Sequence, residues 1–188
     1  VQDGPLTSRL QHLKVGDELL ISKKPTGTLI VDDLNSGKNL YLLSTGTGLA
    51  PFLSVTKDPD VYEQFDKIIM IHGVRHVKDL AYYKHFTEEL PNHEYLGEMV
   101  REKLIYYPTV SREDFHNTGR ITDLMRSGKL FADIGLPMID PAVDRAMICG
   151  GPGMLKDLSL MLDEFGLAIS PKTGVRGDYV IERAFVGE

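Results

Sequence analysis

The sequence predicts an α/β protein in which a doubly wound parallel sheet over residues 37–188 follows a shorter antiparallel β segment over residues 1–36. One observation is that apolar runs of strand length alternate with segments of helical periodicity after residue 40, as in parallel sheets with crossover helices. The other is that residues 1–34 hold short apolar runs between turns and no crossover helix. The mostly polar stretch 33–39 is the expected domain boundary.

The first part is expected to contain three short elements. Apolar residues at positions 6, 10 and 13 are typical of one or two helical turns. The segments 18–22 and 28–31 each follow a turn and predict short strands. Short strands without crossover helices favour an antiparallel barrel.

In the second part, buried strands are expected at the apolar runs 40–43, 67–73, 145–150 and 178–186. The run 104–107 fits either a strand or the end of a helix because Pro108 interrupts it, and 94–96 is a short strand candidate. Helices are expected where apolar residues recur on one face, at 79–90, 122–126 and 152–165.

Composition excludes several classes of protein. The chain has 188 residues, of which 42% are hydrophobic and 26% charged, as in soluble globular proteins. A formal charge of −6 argues against a general nucleic-acid binder. No apolar run approaches the roughly 20 residues of a membrane span, and no signal peptide is recognisable, so a cytoplasmic protein is expected. A single cysteine and unsuitably spaced histidines predict neither disulfides nor a metal site. The chain begins at Val1 without methionine, as if in the middle of a domain.

A glycine-rich turn at residues 44–52 follows the first buried strand and precedes a helical segment. Gly46 and Gly48 lack a Cβ, so the backbone can adopt positive φ and a ligand can approach closely. Pro51 suits the first turn of a helix. The spacing matches neither the dinucleotide fingerprint nor the P-loop, so phosphate binding and an ordinary turn both remain open.

Arginines follow the other expected strand ends, which meet at one edge of a parallel sheet. Their guanidinium groups match phosphate oxygens, and Ser111 directly before Arg112 suits a phosphate monoester. The second strand ends at Arg75 instead of the acidic residue that reads the ribose of NAD, and Arg120 lies near the third. With a second glycine-rich turn at 149–153, these residues indicate NADP binding.

Each of these residues also has a plainer interpretation. Arg75 and Arg120 fit solvated surface charges, and Arg112 fits an ion pair with Glu113 or Glu102. Cys149 fits a small buried apolar side chain.

Seven motifs stand in order along the chain, at residues 4–8, 44–52, 72–75, 106–113, 119–124, 149–152 and 182–186. With them the sequence resembles the bacterial ferredoxin–NADP reductases of the plant-type ferredoxin reductase superfamily. The resemblance implies a flavoprotein that exchanges electrons between NADP(H) and ferredoxin or flavodoxin through FAD. A monomer is expected. It further implies that residues 1–36 are the remnant of an FAD-binding β-barrel and that residues 37–188 form the NADP-binding domain, with a C-terminal tail contacting the flavin.

The resemblance also assigns roles to individual residues. Those implied to wrap the FAD pyrophosphate are Asp3, Gly4, Pro5, Leu6, Thr7 and Ser8. Those implied to lie near the nicotinamide or the NADP pyrophosphate are Thr45, Gly46, Thr47, Gly48, Pro51 and Gly150. The implied readers of the 2′-phosphate are Ser111 and Arg112, assisted by Arg75 and Arg120. Cys149 and Ala184 are implied to lie beside the reacting rings, and Phe185 near the flavin adenine.

One family feature is missing from the sequence. The Arg-x-Tyr-Ser motif of an early barrel strand does not occur in it, and residues 1–34 suffice for only part of a barrel. Two alternatives follow from this: the C-terminal part of a longer reductase, and a fragment or module that binds NADP without flavin activity. A separate alternative is another reductase of the superfamily that feeds an oxygenase.

Overall fold

A computed structural model describes residues 4–24 and 27–183, and its centre is a five-stranded, wholly parallel sheet. The strands in chain order are β1 (Asn39–Thr45), β2 (Lys67–Val74), β3 (Leu104–Val110), β4 (Asp144–Gly150) and β5 (Tyr179–Arg183). They lie side by side in the order β3-β2-β1-β4-β5. The order runs outward from β1 in both directions, which confirms the predicted doubly wound sheet.

Helices and helical turns occupy most of the connections between the strands. The α-helices of the described residues are α1 (Thr7–Leu10), α2 (Ala50–Val55), α3 (Pro59–Gln64), α4 (Gly97–Lys103), α5 (Ile121–Arg126), α6 (Lys129–Ile134) and α7 (Pro152–Glu164). Short 3₁₀ turns lie at Val31–Asp33, Gly46–Leu49, Val77–Asp79 and Leu90–Asn92, and a π-helical turn lies at His85–Glu89. The predicted helices at 122–126 and 152–165 are confirmed.

Two hydrophobic cores, one on each face of the sheet, explain why the strands are apolar throughout. Alternate residues of a strand point to opposite faces, so Tyr41 and Leu43 pack in one core and Leu40 and Leu42 in the other. The first core also holds the apolar sides of α5, α6 and α7, and the second those of α2, α3 and α4. Burial on both faces is typical of parallel strands. Because all four pairings are parallel, the carboxyl ends of the strands lie in one row.

Three expectations in the second part are corrected by the structure. Residues 79–90 form short 3₁₀ and π-helical turns in place of one regular helix, and Tyr82 there has a φ of 61°. Residues 94–96 form a turn leading into α4, not a strand. Pro108 does not interrupt the chain, because β3 is an edge strand in which a missing N–H is tolerated.

The strands expected at 18–22 and 28–31 are also wrong. Within the described residues no neighbouring strand pairs with either segment, and residues 31–33 form a 3₁₀ turn. An unpaired strand leaves its backbone groups to water, so the apolar pattern alone does not produce a ladder. Val15 and Leu20 are accordingly fully exposed. Among the described residues of this part, only the single helical turn α1 matches the prediction.

The segment after this part is fastened to the amino end of the sheet. The Asn35 N–H donates to the Gly177 carbonyl at 2.8 Å, and Arg145 Nε donates to the Asn35 carbonyl at 3.2 Å. Arg145 is buried and pairs with Asp178 at 3.6 Å. The carboxyl edge of the sheet lies at the opposite end of the strands. None of the helices in the described residues has the length and apolar character of a membrane span.

Candidate functional site at the carboxyl edge of the sheet

The carboxyl edge offers a crevice between β1 and β4, where the chain direction from strand to strand reverses. The 3₁₀ turn Gly46–Leu49 follows β1, and α7 follows β4 after Gly151. Ligands of open α/β sheets bind at such a switch point. Both glycine-rich turns, at residues 44–52 and 149–153, therefore lie at the position where a nucleotide is expected.

The two turns touch each other closely, and this contact explains two of the glycines. A Cβ on Gly48 would lie 2.1 Å from the carbonyl oxygen of Cys149. A Cβ on Gly150 would lie 2.7 Å from Oγ1 of Thr45. Gly48 is buried and its φ is not positive, so the expectation that it admits a ligand is corrected: its missing side chain makes room for the backbone of β4.

Other glycines of the two turns remain open. Gly46 has a φ of +53°, which confirms the predicted positive φ. Apart from its chain neighbours, no atom of the described residues lies within 4 Å of the position that a Cβ would take there. A Cβ at Gly151, whose φ is −70°, or at Gly153 on the first turn of α7 would likewise have no described neighbour within 4 Å beyond the adjoining residues. Backbone N–H groups at the start of the 13-residue α7 and the exposed Gly46 form a cradle that a phosphate could fill. Thr47 is exposed, and Pro51 is half-buried in the first turn of α2.

His72 contacts the first turn, and although it lies in the motif 72–75, no site role was predicted for it from the sequence. Its ring is completely buried in β2, and Nε2 lies 3.3 Å from the Gly46 carbonyl oxygen. Burial lowers the pKa of His72, so the ring is neutral at physiological pH and its proton sits on Nε2, facing that carbonyl. Nδ1 is buried and has no hydrogen-bond partner among the described residues. The only signal in the sequence is a polar residue inside an apolar strand, just before Gly73.

Polar residues of four strands form one row beside this turn. Ser44 is in register with His72 on one side and with Cys149 on the other, and Cys149 is in register with Glu182. Ser44 Oγ donates to the Ile71 carbonyl at 3.1 Å. Burial, and to a smaller extent the negative charge of Glu182, raises the pKa of the Cys149 thiol to about 11. The thiol is therefore protonated at neutral pH and is not a nucleophile there.

Cys149 is expected to react slowly with alkylating agents. At pH 8, labelling by iodoacetamide should be more than about 100-fold slower than that of a free cysteine, because only the thiolate reacts. The rate should rise about tenfold per pH unit from pH 8 to 10, since the pKa is raised. Mass spectrometry of the labelled chain measures both rates, and the Cys149→Ser variant gives the background. Labelling at the rate of free cysteine would contradict this assignment.

The arginines after β2 and β3 lie side by side. The Ser111 N–H donates to the Val74 carbonyl at 3.0 Å, and the Arg112 N–H donates to the Arg75 carbonyl at 3.0 Å. The strand pairing thus continues past both strand ends, and it places Arg75 beside Arg112 with both residues exposed. Ser111 is also exposed, and its Oγ donates to the Val74 carbonyl at 3.2 Å.

The remaining predicted arginine joins the same edge through a second loop. The Gly119 N–H donates to the Val110 carbonyl at 3.0 Å, so the loop after β3 returns to the end of that strand. Arg120 follows at once, exposed, and its carbonyl accepts the Leu124 N–H at the start of α5. In the described part of the chain no ion pair engages Arg112, so the predicted alternative of pairing with Glu113 or Glu102 is not seen.

The residues implied to contact FAD are only partly described. Gly4–Leu6 form a turn that leads into α1, and the Ser8 N–H donates to the Gly4 carbonyl at 2.9 Å. Pro5, Leu6 and Thr7 are exposed. The predictions for Asp3, Ala184 and Phe185 lie outside the described residues. Within residues 4–24 and 27–183, His, Cys, Asp and Glu side chains form no group of three that could hold a metal ion.

Comparisons with known proteins find relatives along nearly the whole chain. The family model of the oxidoreductase NAD-binding domain matches residues 42–159. A ferredoxin–NADP reductase of Azotobacter vinelandii is 68% identical over 186 residues, which are 99% of this chain and 72% of that protein. A flavodoxin/ferredoxin–NADP reductase of Rhodobacter capsulatus is 48% identical over 188 residues, or 100% of this chain and 69% of its relative.

A solved structure is similar over nearly the whole chain. It is a ferredoxin NADP+ reductase from Neisseria gonorrhoeae with bound FAD and NADP. The TM-score is 0.83 at 27% sequence identity, and the match covers 98% of this chain and 72% of that structure.

Proposed function

We propose that this chain, which belongs to the family of bacterial ferredoxin–NADP reductases, binds NADP(H) at the carboxyl edge of its parallel sheet. The chain is an oxidoreductase that uses FAD and NADP and exchanges electrons with ferredoxin. The observation that carries the site proposal is that Arg75 and Arg112 stand side by side on the same edge as the open glycine cradle. FAD, when bound, provides the chemistry for exchanging a hydride with NADP(H) and single electrons with the protein partner. The protein supplies binding and orientation.

The glycine cradle fits the pyrophosphate of a dinucleotide. Gly46, Gly151 and Gly153 leave space where a side chain would stand, and α7 directs its first N–H groups and the positive end of its dipole toward that space. We assign Gly46, Thr47 and Gly150 to this end of the ligand, with Thr45 and Pro51 holding the turn. Gly48 contributes by allowing the turn to rest on β4.

The arginines fit the 2′-phosphate that distinguishes NADP from NAD. Arg112 presents five N–H donors with no ion-pair partner in the described chain, and Ser111 adds a hydroxyl beside it. Arg75 and Arg120 are the assisting cations. Because a doubly charged phosphate is recognised by charge-assisted hydrogen bonds, this cluster favours NADP over NAD.

The side chains beside the reacting rings orient them and exclude water. Cys149 is a buried neutral thiol at the end of β4, and we assign it and Ala184 to the contact between nicotinamide and flavin. The neutral His72 holds the Gly46 carbonyl, so that the turn keeps one shape when a ligand binds. Correct placement of two reactants is the main way in which a protein accelerates such a transfer.

Pro5 and Leu6 are exposed in the turn at residues 4–6, and we assign residues 3–8 to the FAD pyrophosphate and Phe185 to the flavin adenine. In this proposal residues 1–36 belong to a FAD-binding barrel and residues 37–188 to the NADP-binding domain. We further propose that flavodoxin is a second acceptor, and that the protein is a cytoplasmic monomer. The single cysteine, kept as a thiol, supports a reducing compartment.

Two alternatives make different predictions for the purified chain. A binding module without flavin would bind NADP and show no turnover with added FAD. A reductase of an oxygenase would turn over NADPH and pass electrons poorly to ferredoxin. The identity of 68% with a ferredoxin–NADP reductase favours neither of them.

The reductase function is tested by two electron-transfer assays on the chain with added FAD. NADPH should support reduction of ferricyanide, and ferredoxin should carry the electrons on to cytochrome c. NADH at the same concentration should be much less effective, because it lacks the 2′-phosphate. NADP binding without either activity would identify a module, and ferricyanide reduction without the ferredoxin step would favour the oxygenase reductase.

A further inference from the structure

We infer that Glu113 is a positioning residue of the 2′-phosphate site, because it ties the loop carrying Ser111 and Arg112 to the segment that follows Arg75. Its carboxylate accepts the backbone N–H of Val77. The inference rests on the proposed function and adds a residue that does not itself contact the phosphate. A carboxylate next to a phosphate site would otherwise be unfavourable, so its presence calls for a physical reason.

The backbone pairing between the two loops stops one residue before Glu113. The last hydrogen bond of the extended ladder runs from the Arg112 N–H to the Arg75 carbonyl. Beyond it the two chains separate: one turns into the 3₁₀ turn Val77–Asp79, and the other into the loop that returns at Gly119. Glu113 bridges them at the point of separation, across 36 residues of sequence.

The 3₁₀ turn needs this bridge for its first N–H group. The His76 N–H donates to the Asp79 side chain at 3.2 Å, and the Asp79 N–H donates to the His76 carbonyl at 2.9 Å. The Val77 N–H has no acceptor within the turn, as is usual at the start of a helical segment, and Glu113 supplies one. Nδ1 of His76 lies 3.9 Å from the same carboxylate.

The other side of the bridge is attached to β3 by side-chain hydrogen bonds. The Thr109 hydroxyl donates to the Asn117 carbonyl at 3.1 Å, and Asn117 Nδ2 donates to the Pro108 carbonyl at 3.1 Å. The loop that carries Arg112 is therefore held at its base by β3. Glu113 transmits this fixed position to the segment after β2, so the separation of Arg75 from Arg112 is set on both sides.

Charge and position predict opposite results when Glu113 is removed. If the carboxylate acted only through its charge, its loss would strengthen binding of a phosphate dianion. If it positions the arginines, its loss should weaken binding of ligands that carry the 2′-phosphate and leave other ligands unaffected. The sign of the change therefore separates the two roles.

The test uses calorimetric titration of the chain with 2′,5′-ADP and with 5′-ADP, which differ in whether they carry the 2′-phosphate. Glu113→Ala should weaken 2′,5′-ADP by about two- to tenfold, the value of one hydrogen bond, and leave 5′-ADP unchanged. Glu113→Gln keeps an acceptor for the Val77 N–H and should restore most of the affinity. Asp114→Ala removes the same charge from the next, exposed residue and should not weaken either ligand.

The possible outcomes separate this inference from the proposed function. If the wild-type chain binds both nucleotides equally, the proposed NADP site is wrong. If it prefers 2′,5′-ADP and Glu113→Ala binds it equally or more tightly, only the positioning role is wrong. An equal loss for both ligands, or failure of Glu113→Gln to restore affinity, would also overturn that role. Thermal unfolding of each variant verifies that the fold is retained.

Discussion

Replacing Arg112 with alanine is expected to weaken NADP+ binding by about 10- to 100-fold while NAD+ binding stays nearly unchanged. The guanidinium group is exposed at the end of β3, beside Arg75, and has no ion-pair partner in the described chain. Its removal therefore leaves no carboxylate without an ion-pair partner and should not disturb the fold. The loss is confined to the charge-assisted hydrogen bonds to the 2′-phosphate, which NAD+ does not form. Calorimetry with both nucleotides measures the two affinities.

Two further variants sharpen this result. Arg112→Lys keeps the charge but cannot form the bidentate pair, so it should lie between wild type and alanine. Arg126→Ala removes another exposed arginine, which pairs with Glu164 of α7 at 2.9 Å, and should change neither affinity. An equal loss of NADP+ and NAD+ binding in Arg112→Ala would show that the residue has a general role and does not select the phosphate.

Replacing Gly48 with alanine should cost about 3 kcal/mol of the free energy of unfolding and reduce nucleotide binding. The added Cβ would lie 2.1 Å from the carbonyl oxygen and 2.6 Å from the carbonyl carbon of Cys149. These are backbone atoms of a central strand, so they cannot move aside as a flexible side chain can. The first turn must then separate from β4, and the cradle between the turns is lost.

Gly151→Ala is the matched control for this substitution. It lies in the second turn and has a φ of −70°. In the part of the chain that the structure describes, its chain neighbours aside, no atom lies within 4 Å of the new Cβ. Denaturant unfolding should therefore give a free energy within about 0.5 kcal/mol of the wild type, the usual range for a surface change. Equal stability of Gly48→Ala and Gly151→Ala would contradict the close contact between the turns.

Much of the sheet could be predicted from local sequence because its strands are buried on both faces. The runs at β1, β2 and β4 are apolar without alternation, and each ends at or just before a glycine-rich or polar turn. The α7 helix was predictable from its apolar face and its flanking glycines. In these elements local pattern and tertiary environment agree.

Other elements depend on partners that local sequence does not specify. Residues 18–22 have a strand pattern, but a strand needs a neighbour, and none pairs with them in the described chain. Pro108 looks like an interruption until its strand is known to lie at the edge of the sheet. Whether a proline ends a strand is thus decided by sheet order, which a single sequence does not give.

The same limit applies to the candidate site. The arginines and glycines were found from their places after strands, because topology brings strand ends together. His72 and Glu113 act through backbone groups 26 and 36 residues away, and no spacing rule connects such positions. For Gly48, the pattern predicted that a side chain is excluded but assigned the space to a ligand, whereas the backbone of β4 fills it.

The most direct test of the proposed site is an NMR titration of the ¹⁵N-labelled chain with NADP+. The expected result is that the amide signals of Gly46, Arg75, Ser111 and Gly151 shift together and saturate with one affinity, while those lining a separate cavity of about 350 Å³ at Lys57 and His85 do not. NAD+ should shift the glycine signals at higher concentration and leave Ser111 nearly unaffected. Shifts confined to the Lys57 cavity, or an identical response to both nucleotides, would contradict an NADP site at the carboxyl edge of the sheet.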